Sequence, residues 1–118
     1  MTNSVDTNNE EALLQHMVDT IVREASPEAI ILFGSRARGD ARPDSDVDLL
    51  IVETEPFSPQ RSRRKEAARL CLYIALKGLA ISKDLLLYSR DEFEQWKNSM
   101  NHVVGRAVRE GKVLHGRP

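Results

Sequence analysis

Leu13, Leu14, Met17, Val18, Ile21 and Val22 recur at helical spacing. They predict a core-facing helix that opens near Asn8 or Asn9, carries Glu10 and Glu11 in its first turn and ends at Ser26-Pro27. His16 lies beside that stripe as a boundary residue. Ala29–Phe33 is a short, wholly apolar run of strand length that stops at Gly34-Ser35. Leu49–Val52 is a second such run, opened by Asp46-Val47-Asp48. A long helix is predicted from Ser58-Pro59, basic over Gln60–Lys65 and apolar over Ala67–Leu76, with Gly78 as its C-cap. Ile81–Tyr88 reads as a third strand, and Asp91–Val108 as a helix whose Phe93, Trp96 and Met100 face the core. Gly111 ends that helix, and Lys112-Val113-Leu114 returns as a short extended piece. The residues before Glu10 and after His115 are expected to be loose.

Strands alternating with helices make an α/β domain, a small mixed sheet of three or four strands packed by helices. A parallel crossover needs about a dozen residues or more including its helix, so the short link from Ser35 to Ser45 implies antiparallel or splayed strands. The 118 residues are read as one domain. The net charge of −1 gives no bulk attraction to nucleic acid. Cys71 is the single cysteine, which excludes an intramolecular disulfide, and it reads as a buried small side chain. The polar start MTNSVDTNNEE and the lack of a long apolar run point to a cytoplasmic protein with no membrane contact.

The chemistry lies in Gly34–Val52, GSRARGDARPDSDVDLLIV. Asp46 and Asp48 are two apart, so on a strand they face one side with Cα atoms roughly 7 Å apart. Two carboxylates so placed repel unless a cation lies between them, and Mg²⁺ is commonly held by one or two carboxylates with phosphate oxygens and water. Gly34 allows close backbone approach, and Ser35 as an N-cap would start a helical turn whose free N–H groups suit an anion. Arg36, Arg38 and Arg42 can reach phosphate or pair with Asp40, Asp44 or solvent. Together these describe a nucleoside triphosphate and its metal. No Gly-Lys-Ser/Thr follows the glycine, so this is not a Walker A loop. Asp84, an acid inside an apolar strand, is costly unless it faces a polar site, and it can join Asp46 and Asp48 if the strands are neighbours.

Gly34-Ser35 followed after ten residues by Asp46-Val47-Asp48 resembles the nucleotidyltransferase superfamily related to DNA polymerase beta, and more narrowly its minimal nucleotidyltransferase (MNT) group, with MntA-type antitoxins of HEPN/MNT pairs. The resemblance extends to Asp84 and to the closing segment Arg109–Leu114. It implies a metal-dependent transfer of AMP from ATP to a tyrosine hydroxyl of a partner HEPN toxin. Asp46, Asp48 and Asp84 would be the catalytic, Mg²⁺-binding carboxylates, with Gly34, Ser35 and Arg36 at the phosphates. A domain this small must borrow its acceptor surface from a second copy or a partner protein. Two other readings stay open at this point: an antitoxin that masks its partner without catalysis, and a transferase acting on a small molecule as aminoglycoside nucleotidyltransferases do.

Overall fold

The computed structural model describes residues 10–79 and 81–118; the expected loose start before Glu10 lies outside them. The chain runs α1 (Glu10–Ala25), β1 (Ala29–Phe33), α2 (Ser35–Arg38), β2 (Val47–Glu53), α3 (Arg63–Leu76), β3 (Lys83–Ser89), α4 (Arg90–Trp96), α5 (Val103–Glu110) and β4 (Lys112–Gly116). The strands form one sheet in the order β3-β2-β1-β4. β1 pairs antiparallel with both β2 and β4, and β2 pairs parallel with β3 through the α3 crossover. This is the mixed α/β sheet expected.

Alternation along the strands makes two cores. Ile30, Leu32, Val47, Leu49, Ile51, Leu85 and Leu87 face α1 and α3, meeting Leu13, Met17, Ile21, Leu70 and Ile74. Ala29, Ile31, Leu50 and Val52 face the other way and meet Phe93 of α4 with Val104 and Ala107 of α5. Even-numbered residues of β2 therefore share the α4/α5 face, which places Asp48 there.

Four expectations shift. α3 starts at Arg63 rather than Ser58, with the Ser62 hydroxyl capping Lys65 N–H. Upstream, Ser58 and Arg61 close a turn on each other, and Arg61 is drawn to Glu53 and over the Phe57 ring. The helix expected over Asp91–Val108 is two helices. Ser89 starts the first with a capping box to Glu92. His102 starts the second, its Nδ1 accepting from Val104 N–H. Arg109 binds the Ser99 and Met100 carbonyls, and a Cβ on Gly105 would overlap Ser99 O, so the break is built in. Consequently Phe93 alone of its proposed stripe is buried; Trp96 stacks on His102 at 4.5 Å and Met100 is exposed. Gly116, expected to be loose, pairs with Ala29 in β4.

At the far end of β2, Glu53 is buried, and as a carboxylate its Oε2 finds no donor among the described residues. Arg61 holds the other oxygen at 2.5 Å. Glu66 stands beside Glu53, and that contact completes itself with one shared proton. Burial first, and Glu66 second, push the Glu53 carboxyl up to about 7, while Arg69 pulls Glu66 below its ordinary range. A raised acid stabilises the fold fully below its ordinary value of 4.5 and loses that contribution as pH rises through about 7. The melting temperature of the wild type is expected to fall across that window. Glu53→Gln, which supplies a permanent N–H donor to Glu66, should flatten the fall; a variant whose profile matched the wild type would contradict the shared proton.

Candidate active site

The turn after β1 is held from behind. Gly34 sits at φ 74°, ψ −157°, a conformation that favours glycine, and precedes the single turn of α2. Gly34, not Ser35, takes the N-cap position, so no side chain caps this turn. Gly34 O receives the Ala37 and Arg38 N–H groups, leaving the N–H groups of Ser35 and Arg36 without a protein acceptor among the described residues. A helix start with two unspent donors suits an anion.

Arg36 is spent elsewhere. Its Nε and Nη2 donate to Ser45 O at 3.2 and 2.7 Å, and Nη1 pairs with Glu10 at 3.1 Å. It is 9% exposed at the side chain, so it fastens the turn that delivers Asp46 rather than extending into solvent. Arg38 points outward, half exposed and loosely paired with Asp40 at 3.4 Å.

Opposite this turn, β2 begins. Asp48 is the register partner of Phe33 on one side and of Asp84 on the other. Parallel partners in register project from the same face, so Asp84 joins Asp48 on the α4/α5 side, and Asp46, two residues earlier, stands in sequence with them. Lys83, the obvious counter-ion for Asp84, donates instead to Ile81 O. Among the described residues none of the three carboxylates has an ion-pair or hydrogen-bond partner. Partial burial raises the Asp48 pKa, and the charges of Asp84 and Asp46 raise it further; Arg38 alone pulls it down. Gly34 lies so close that a Cβ there would overlap Asp48 Oδ2 and stand 3.2 Å from its Cγ.

The site is a carboxylate cluster, Asp48 partly buried and Asp46 and Asp84 exposed, whose repulsion is eased by Arg38 alone, beside a backbone turn with donors to spare. No three His, Cys, Asp or Glu side chains among the described residues converge tightly enough to cage an ion by themselves. That fits a cation completed by substrate: Mg²⁺ prefers one or two carboxylates with phosphate oxygens and water to an all-protein cage. A cavity of about 200 Å³ adjoins the turn, lined by Phe33, Gly34 and Arg38 on one side and by α5 on the other.

A model of the nucleotidyltransferase domain matches residues 14–108, which span both strands of this cluster, Asp84 and most of α5. The chain belongs to the nucleotidyltransferase family. A relative from Methanocaldococcus jannaschii named "Putative protein adenylyltransferase MJ0604" is 32% identical over 110 residues, covering 91% of this nucleotidyltransferase and 99% of its own length. Among solved structures, a toxin–antitoxin complex with AMP-PNP superposes at a TM-score of 0.55 with 23% identity, over 87% of this chain and 73% of that one. A structure described as "a putative nucleotidyltransferase from Sulfolobus solfataricus" superposes at 0.52 with 19% identity, over 99% of this chain and 94% of that one. At that identity the structures establish the shared fold. No helix among the described residues is long and apolar enough to cross a membrane.

Two features of the site have no counterpart in the sequence pattern. Arg36 looked like its neighbours Arg38 and Arg42, and only tertiary structure separates a brace from an outward-facing cation. Arg106 of α5 also lines the cavity beside Gly34, seventy-two residues away in sequence, and carried no local signal.

Proposed function

We propose that this nucleotidyltransferase is an antitoxin that moves AMP from ATP onto a tyrosine hydroxyl of a partner HEPN toxin, in the cytoplasm and as a single-domain unit. The observation that carries the reading is the register pair Asp48–Asp84 with Asp46 beside it and Gly34 packed against the Asp48 carboxylate. The named activity of the M. jannaschii relative and the toxin–antitoxin neighbours support the choice of acceptor.

Asp46, Asp48 and Asp84 would hold Mg²⁺, which when bound supplies positive charge to the phosphate oxygens. The free Ser35 and Arg36 N–H groups bind the phosphate chain, and Arg36 keeps that turn in register with Asp46. The tyrosine oxygen attacks the α-phosphorus, the bond to the β-phosphate oxygen breaks, and pyrophosphate leaves. Asp84, exposed at the start of β3, takes the phenolic proton. Positioning and charge stabilisation supply most of the rate.

Coexpression with the HEPN toxin encoded beside it, followed by intact-mass analysis of the toxin, tests the reading. The expected result is a toxin carrying AMP on tyrosine. An unmodified toxin that is neutralised all the same would replace catalysis with masking.

A further inference from the structure

We propose that Arg106, on α5, contacts the phosphate chain of the donor nucleotide and so completes the site from the side opposite the Gly34 turn. The inference rests on the proposed use of a nucleoside triphosphate and adds a residue that the Gly-Ser and Asp-x-Asp motif does not contain.

Six of the chain's twelve arginines are consumed by the fold. Arg36 holds Ser45 O, Arg61 holds Glu53, Arg63 holds Glu92, Arg69 holds Glu66 and Arg90 holds Glu28. Arg109, one turn from Arg106, holds two carbonyls of the α4–α5 link. The Arg106 guanidinium has no carboxylate or carbonyl partner among the described residues, although it lines a cavity. That cavity also takes in Gly34 and Arg38.

The position follows from the sheet. Asp48 and Asp84 project on the face that α4 and α5 cover, and α5 packs on β1 through Val104 and Ala107. The cavity thus opens between α5 and the end of β1, on the same face as the carboxylates. α5 is closely seated: a Cβ on Gly105 would overlap Ser99 O, and Gly111 approaches Ile31 and Leu32 more closely than a Cβ would allow. Arg106 is therefore delivered from a fixed backbone by a long side chain.

The electrostatics suit a polyanion. The cavity's lining carries two guanidiniums, Arg38 and Arg106, against the single carboxylate of Glu110. At about 200 Å³ it has room for part of a nucleotide, with Phe33, Val103 and Ala107 as an apolar floor. A triphosphate lying from the Asp48 cluster across the Gly34 turn would bring an equatorial oxygen within reach of Arg106, and guanidinium–phosphate hydrogen bonds are among the stronger ones proteins make.

The test is direct nucleotide binding, read by calorimetry with Mg²⁺ and a non-hydrolysable ATP analogue. The variants are Arg106→Ala, Arg106→Lys and, as a control for net charge, Arg64→Ala at the other sheet edge. Arg106→Ala is expected to weaken binding about tenfold or more, with a nearly unchanged melting temperature because Arg106 is exposed and has no ion-pair or hydrogen-bond partner among the described residues. Arg106→Lys should recover part of the loss, and Arg64→Ala should stay within about twofold because only diffuse charge is removed. In turnover, the same substitution should raise KM for ATP with little change in kcat. Equal binding by Arg106→Ala and wild type would overturn the inference and leave the nucleotidyltransferase reading standing. A wild type that binds no nucleotide would remove both. Losses of equal size in Arg106→Ala and Arg64→Ala would reduce the effect to long-range charge and also overturn it.

Discussion

Asp48→Asn is expected to cut nucleotide transfer by about a thousandfold or more while leaving the protein as stable as the wild type or more so. The first half follows from the loss of a carboxylate that has Asp84 as its register partner and Asp46 two residues before it. Charge neutralisation at a transferring phosphate is worth several kcal/mol, and each 1.4 kcal/mol is about tenfold in rate. The second half follows from the pKa. Burial and two like charges raise Asp48, so folding is working against its ionised form. The raised pKa means its favourable contribution is full at low pH and is lost as pH rises through the folded value, so at neutral pH a neutral side chain of the same shape relieves the strain. Transfer rates and thermal melts of the two proteins, side by side, check both halves. A variant that lost activity and stability together would recast Asp48 as a structural residue.

Gly34→Ala is expected to be the most damaging change at a residue with no side chain. Two costs add. The backbone at φ 74°, ψ −157° is strained for any L side chain, at about 1–3 kcal/mol. The new methyl also overlaps Asp48 Oδ2, so either the carboxylate or the turn must move. A displacement of about 1 Å at a reacting centre can cost a hundredfold, and a loss of that order is expected together with a lower melting temperature. Gly39→Ala separates the two costs. Gly39 also has positive φ, at 85°, but a Cβ there meets nothing within 4 Å. It should lose stability and keep most of its activity. If Gly34→Ala and Gly39→Ala kept equal activity, the packing of Gly34 against Asp48 would have no catalytic meaning.

Legibility from sequence followed the range of the physics involved. β1 was readable to the residue because a five-residue apolar run ending in Gly-Ser has few other solutions. The antiparallel β1–β2 pairing was readable because the link is too short for a crossover. The pairing of Asp84 with Asp48 was only conditionally readable: it depended on β3 lying beside β2, as the parallel register Asp48↔Asp84 has it. The start of α3 was misplaced because Ser58-Pro59 and Ser62 offer equally good local signals, and the choice between them is made by Arg61 reaching back to Glu53. The break between α4 and α5 was invisible to periodicity, since Phe93, Trp96 and Met100 fit one helix as well as two; Gly105 and Arg109 decide it through contacts with Ser99. Arg36 and Arg106 show the same limit at the site. Whether an arginine is a brace or an open cation is decided by what the fold brings to it.

The most direct measurement is transfer of label from ATP to the proposed toxin partner in the presence of Mg²⁺, with the label placed at the α- or at the γ-phosphate. Wild type is expected to move the α label onto the toxin and release the γ label in pyrophosphate, and Asp46→Asn/Asp48→Asn to move neither. Label reaching the toxin from the γ position, or equal α transfer by the double variant, would contradict the proposed transfer.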